Sequence, residues 1–120
     1  MPLLTIPDDL STYKAKAEKL VRALLKGKED EAFKLMSKPL QDKFSSGELA
    51  QQCKNFTSNG VLKDVEFVKE FIDEKDKEMV IFIFKCSIGE QVVPAHVTFE
   101  FHGLKSYLIA YQIPSSKAKL

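Results

Sequence analysis

The chain has 120 residues, of which 44% are apolar, and its 18 Lys and Arg nearly balance its 17 Asp and Glu, giving a formal net charge of +1. This composition is typical of one soluble globular domain, and a chain of this length buries a core without disulfides or metals. The balanced charge argues against a nucleic-acid-binding protein. No apolar run is long enough to span a membrane, and the N-terminal segment lacks the pattern of a secretory signal.

The first half of the chain has the apolar spacing of helices. A first helix is predicted to begin after Pro7-Asp8-Asp9, with Asp8, Asp9 or Ser11 as N-cap, and to end at Gly27. Its apolar stripe consists of Tyr13, Ala17, Leu20, Val21 and Leu24. A second helix is predicted over residues 29–37 and is interrupted by Pro39 just beyond it. Residues 40–44 can add one more turn. Ser45 and Glu48 have the spacing of a capping box, which predicts a third helix from there to about Ser58.

From residue 61 onward the apolar period changes from about 3.6 to 2. Strands are predicted over residues 61–72, 79–87, 91–101 and 106–113, and the short turns between them favour an antiparallel meander. The sequence therefore predicts an α+β fold in which three N-terminal helices pack on a curved four-stranded antiparallel sheet. Residues 1–114 are expected to form this single domain, and residues 115–120 a flexible tail.

The predicted sheet has apolar residues on both faces. One face of the third strand is apolar and should pack against the helices; it consists of Val93, Ala95, Val97, Phe99 and Phe101. The second and fourth strands, by contrast, are apolar on both faces. Such a second face usually marks an interface, and we expect a homodimer there. The expected interface residues are Ile81, Ile83, His96, Thr98 and Leu108. The alternative is that helices or the N-terminal residues 3–6 cover this face.

The helical half resembles a known family. The run AEKLVRALLKG at 17–27, followed by EAFKLM at 31–36, is similar to the opening of nuclear transport factor two-like domains, especially small members of unknown function. There a first helix ends at Gly, a second opens with an acidic-Ala-aromatic step, and a third helix (here 49–60) precedes a strand meander. The resemblance covers about residues 13–113, although relatives often have Trp near the position of Cys53. A cystatin-like fold shares this element order.

The resemblance implies a cone-like sheet wrapped on a helix, with a cavity between them. Family members include isomerases, dehydratases, ligand binders and dimerisation modules, so the fold alone does not choose a function. The residues expected to line the cavity are Tyr13, Phe33, Met36, Phe44, Phe56, Phe99 and Phe101. The alternative interpretation is that they form plain core.

The sequence offers little catalytic chemistry. His96 is expected at the surface or interface and His102 in a turn, and neither has the neighbours of a metal site, so no metal or cofactor is expected. Cys53 and Cys86 are interpreted as buried thiols of a reducing compartment, bridged only in a secreted chain. The positive residues around the first helix, from Lys14 to Lys28, are interpreted as a solvated face.

These observations predict a non-enzymatic binding or dimerisation module, with a small apolar ligand in the cavity. The alternative is a small isomerase- or dehydratase-type enzyme that uses Tyr13, Asp42 or Tyr111 for acid–base work. A cytoplasmic location is expected. Ala118-Lys119-Leu120 resembles a C-terminal peroxisomal address, which is the alternative in a eukaryote.

Overall fold

The computed structural model describes residues 9–44, 47–58, 60–73, 78–102 and 105–113. Within these ranges the helices are α1 (Ser11–Leu25), α2 (Glu29–Leu35), α3 (Lys38–Gln41) and α4 (Glu48–Thr57). The strands are β1 (Leu62–Asp73), β2 (Glu78–Ile88), β3 (Gln91–His102) and β4 (Lys105–Gln112). They form one antiparallel sheet in the order β1-β2-β3-β4, on which the helices pack. The predicted α+β class is confirmed, and each strand boundary lies within one residue of its prediction.

Helix α1 begins at side-chain hydrogen bonds to Asp9 and ends at a glycine. At its start the Asp9 carboxylate accepts hydrogen bonds from the Ser11 backbone N–H (3.0 Å) and hydroxyl (2.7 Å), although Leu10 is the residue at the N-cap position. At its end Gly27 adopts φ +77°, and the Lys28 N–H bonds back to the Ala23 carbonyl at 2.8 Å. This is the Schellman arrangement, so the expected role of Gly27 holds.

The helical half contains one more helix than the sequence predicted. The second helix ends at Leu35 because Met36 turns to an extended conformation, and α3 then begins at Lys38 with Pro39 in its first turn, where proline removes no helical hydrogen bond. The Gln41 side chain ties the two together by donating to the Phe33 carbonyl at 2.8 Å.

The start of α4 also differs from the prediction. The helix begins at Glu48 with Gly47 as its N-cap, so the predicted start at Ser45 was wrong. Gly47 has φ +81°, a conformation that glycine adopts at little cost. Ser45 itself lies outside the described residues.

The core lies between the helices and one face of the sheet, called here the inner face. The fully buried residues of β2 and β3 alternate as predicted, and Phe82, Phe84 and Phe99 are the largest of them. From the helices, Leu20, Val21 and Leu24 of α1 pack against this face with no measurable exposure. Burying apolar side chains of this size stabilises the fold by about 1.5–3 kcal/mol each.

An irregularity in β4 changes which of its residues face the core. Thr98 pairs with Ala110 but Phe99 pairs with Leu108, so Ile109 is an extra residue that forms a β-bulge. Because the bulge shifts the alternation, Leu108 lies on the inner face beside Phe99 and is only 1% exposed. The expectation that Leu108 lies on the outer, interface-forming face was therefore wrong.

Candidate functional site

A cleft of about 670 Å³ lies between α3, α4 and the end of β4. Its apolar wall is formed by Leu40, Phe44, Phe56, Tyr111 and Ile113. Its polar rim is formed by Lys43, Glu48, Gln52, Asn55, Ser58 and Gln112. A volume of this size, with aromatic walls and a polar rim, is in the range of sites for small organic molecules.

Tyr111 is the central residue of this cleft. Its ring stacks on that of Phe44 with centroids 6.4 Å apart, and its hydroxyl donates a hydrogen bond to Gln52 Oε1 of α4. Burial, reinforced by the neighbouring Cys53 and Glu48, raises the pKa of the Tyr111 phenol. The phenol therefore stays protonated at neutral pH and acts as a fixed hydrogen-bond donor rather than as an acid.

Two polar residues of the cleft, Gln52 and Glu48, were not among the predicted site residues. Both lie on α4, whose predicted inward residues were Leu49, Cys53 and Phe56. Gln52 lies beside Cys53 on the helix and reaches the cleft because β4 brings Tyr111 against it. The only signal in the sequence was the polar Gln51-Gln52 pair next to the buried positions, which by itself indicates a solvated face.

The structure brings together two of the seven residues expected to line a cavity. Phe44 and Phe56 line the cleft. Tyr13, Phe99 and Phe101 instead form an aromatic cluster in which the Tyr13 ring meets the other two edge-on, at 5.6 and 5.0 Å between centroids. These edge-to-face contacts stabilise the core.

The other two expected cavity residues lie apart from the cleft. Met36 is buried in the core, only 5% exposed, at the turn between α2 and α3. Phe33 is 39% exposed and borders a shallow groove on the opposite side of Phe44.

The residues of the enzyme alternative are not assembled in one site. Of Tyr13, Asp42 and Tyr111, only Tyr111 lines the cleft. Asp42 is exposed in the turn after α3 and forms a 2.9 Å ion pair with Lys38. The carboxylate that does line the cleft is Glu48.

The face of the sheet away from the helices, called here the outer face, carries three rows of side chains that cross all four strands. The central row consists of Phe71, Ile81, Thr98 and Ala110. The row on one side, the basic row, consists of Lys69, Ile83, His96 and Gln112. The row on the other side, the acidic row, consists of Asp73, Met79, Glu100 and Tyr107. Four of the five expected interface residues thus share the outer face.

The outer face exposes large apolar side chains at one edge. Phe71 is 62% exposed, and its neighbour across the strand pair is Ile81. His96 lies in the basic row without a hydrogen bond or ion pair to any described residue, whereas His102 lies 3.3 Å from the Glu100 carboxylate. The N-terminal residues 3–6, the alternative cover for this face, lie outside the described residues.

A second groove, of about 440 Å³, runs between α1 and α2. It is lined by Lys19, Arg22, Lys26, Lys28 and Lys34, with Glu31 as its one acidic residue, and by Ala23 and Leu35. The lysines are exposed, which agrees with the interpretation of this stretch as a solvated face.

The two cysteines are free and buried. Burial raises the pKa of both thiols, that of Cys86 to about 11. Within the described ranges no three His, Cys, Asp or Glu side chains are placed to hold a metal ion. None of the helices described has the length and apolar character needed to cross a membrane.

Comparison with models of known protein families and with curated protein sequences finds no match to this chain.

Proposed function

We propose that this protein is a non-enzymatic binding module that holds a small, largely apolar molecule in the cleft between α3, α4 and β4. The observation that carries this proposal is the combination of aromatic walls with one fixed pair of hydrogen-bonded polar side chains. Phe44 and Phe56 offer flat apolar surface, while the Tyr111–Gln52 hydrogen bond fixes the orientation of both polar groups. Preorganised groups of this kind reduce the entropy lost on binding.

The same contact argues against the enzyme alternative. An isomerase or dehydratase needs a proton donor or acceptor with a pKa near the working pH. Tyr111 has a raised pKa, and its proton is already donated to Gln52. Among the described residues, Glu48 is the one carboxylate that lines the cleft. Ligand binding therefore accounts for these residues better than proton transfer does.

A matched pair of variants on α4 tests the ligand proposal. Asn55 is exposed and lines the cleft, whereas Gln51 is exposed one helical turn earlier and does not line it. The fluorescent probe 8-anilino-1-naphthalenesulfonate should bind wild type and Gln51→Trp alike. In the Asn55→Trp variant the indole should fill the cleft, so this variant should bind the probe at least tenfold more weakly than wild type. Equal binding by all three proteins would overturn the proposal.

A second candidate function is homodimerisation through the outer face. The observation that favours it is the exposure of Phe71 beside Ile81 on a face to which β2 contributes Met79, Ile81 and Ile83. Phe71→Glu should convert a dimer to a monomer in sedimentation experiments, while Val61→Glu, at a 79% exposed apolar residue, should not. A wild-type chain that is monomeric at about 100 µM would contradict this function.

Family and compartment are part of the proposal. The order of helices before a four-stranded meander supports membership of the nuclear transport factor two-like superfamily, and a ligand cleft suits that assignment. Cys53 and Cys86, both free and buried, support a reducing compartment such as the cytoplasm. The residues of the peroxisomal alternative, 118–120, lie outside the described residues.

A further inference from the structure

We propose that the two chains of the dimer are related by a two-fold axis that runs along the central row, at right angles to the strands. This inference rests on the proposed dimer. It adds how the two outer faces are aligned on each other, called here the register, which follows from the way the strands pair within each sheet.

Such an axis has a simple effect on the rows. It leaves each strand opposite its own copy and reverses positions along the strand, so the central row faces itself and the basic row faces the acidic row of the partner subunit. Lys69 then lies opposite Asp73 of the partner subunit, and His96 lies opposite the partner's Glu100. The symmetry produces each of these pairs twice.

The uncharged members of the rows also match in this register. Ile83 faces Met79 of the partner subunit, so apolar side chains meet in the middle strand. At the β4 edge Gln112 faces the partner's Tyr107, an amide against a phenol. Lys69, Ile83 and Gln112 of the basic row thus meet chemistry that complements them, and complementarity of this kind fixes register at protein interfaces.

A two-fold axis that runs along the strands also brings the faces together, and it gives a poorer match. It would leave the rows in place and exchange β1 with β4 and β2 with β3. Met79 would then face Glu100 of the partner subunit, and Ile83 would face the partner's His96. Burying Met79 against the carboxylate of Glu100 of the partner subunit would desolvate that charge without pairing it, which is costly.

The geometry of packed sheets tolerates this register. Successive rows are about 7 Å apart, and the strands of packed sheets cross at about 30°. A residue one row from the axis is therefore displaced sideways by roughly 3.5 Å from the partner residue that it would face if the strands were aligned. This displacement is less than the spacing between strands. Lys69 and Asp73 of one chain lie two rows apart, about 13 Å, and so do not pair with each other. Glu100 keeps its contact with His102 in its own chain.

The test exchanges charges on β1, where both residues are exposed. Lys69→Glu and Asp73→Lys each place like charges opposite one another in a homodimer, so each variant should dimerise roughly tenfold more weakly than wild type. An equimolar mixture of the two variants should form a heterodimer of near wild-type strength, because the introduced Glu faces the introduced Lys at one symmetric site and wild-type Lys69 faces wild-type Asp73 at the other. The double variant, with Lys69→Glu and Asp73→Lys in one chain, should also dimerise with near wild-type strength. Glu70→Lys, on the same strand with its side chain on the other face, is the matched control and should have no effect.

Sedimentation at low salt measures the dimer strengths, since salt screens surface charges, and native mass spectrometry with one variant labelled with ¹⁵N counts heterodimers. Single variants as strong as wild type, or a mixture without preferred heterodimers, would overturn the register. If Phe71→Glu still dissociates the dimer in that case, the outer-face dimer stands. A monomeric wild type would overturn both.

Discussion

Tyr111 at the end of β4 and Gln52 on α4 are joined by a hydrogen bond from the phenol to Oε1, which links the sheet to the helix across the wall of the cleft. The two residues are 59 positions apart in the chain, so this bond is purely tertiary. It supports the proposed function because it fixes the orientation of the half-buried Tyr111 phenol and of the Gln52 amide in the cleft.

Removing this bond should loosen the cleft without unfolding the protein. Tyr111→Phe keeps the ring stacked on Phe44 but leaves Gln52 Oε1 without its donor. We expect the free energy of unfolding to fall by about 1 kcal/mol. Urea denaturation measures this loss. Tyr107→Phe, at the half-buried tyrosine of the outer face, serves as the control and should change stability by less than about 0.5 kcal/mol.

Gly27 should resist substitution because both its backbone and its surroundings require glycine. A Cβ at this position would lie 3.1 Å from Thr57 Cγ2, and φ +77° is unfavourable for other residues. Gly27→Ala should therefore destabilise the protein by about 1–2 kcal/mol. Thermal unfolding detects such a change, and Lys26→Ala, at the preceding residue with φ −97°, should leave stability nearly unchanged. Equal stability of both variants would contradict the assigned helix end.

Stability should fall as the pH rises from about 9 to about 11. Burial raises the pKa of the Cys86 thiol from 9.0 to about 11, while Arg22 opposes this shift and Asp64 adds to it. The folded state therefore keeps its proton over a range in which the unfolded state loses it. The contribution of Cys86 is complete below pH 9 and is lost by about pH 11, with a size of roughly 2–3 kcal/mol.

The raised pKa of Tyr111 acts in the same direction at higher pH. Urea denaturation across this pH range measures the slope, and Cys86→Ala should flatten it between pH 9 and 11. An unchanged slope in that variant would refute the role of the buried thiol.

The bulge at Ile109 predicts unequal effects of neighbouring substitutions in β4. Leu108 is 1% exposed beside Phe99, so Leu108→Ala should cost about 2–5 kcal/mol. Tyr107→Ala, on the outer face, should cost the isolated chain much less. Chemical denaturation of both variants distinguishes them, and the reverse order would mean that the strand alternates without the bulge.

The strands were predictable because their signals are local. Charged or glycine-containing turns separate four runs of period 2, and the faces of β3 follow from simple alternation at Val93, Val97 and Phe99. In β4 the same rule failed at Leu108. One extra residue reverses the alternation, and because residues 107–111 are all apolar or aromatic, their pattern does not reveal where it is inserted.

The cleft was only partly predictable for a related reason. Phe44 and Phe56, which were expected in a cavity because they are aromatic, line the cleft, but the same reasoning placed Tyr13 and Phe101 in the cavity, whereas they pack edge-on in the core. Aromatic residues serve cores and clefts alike. Gln52 became a site residue only through the approach of Tyr111, a contact between distant elements that no local pattern encodes.

Native mass spectrometry of the protein purified from its own source tests the central claim most directly. A ligand suited to the cleft of about 670 Å³ should appear as an added mass of a few hundred daltons per chain. This mass should be retained by Gln51→Trp and lost from Asn55→Trp when each is expressed in the same source. Wild-type chains that carry no added mass, or an added mass that Asn55→Trp retains, would contradict the account.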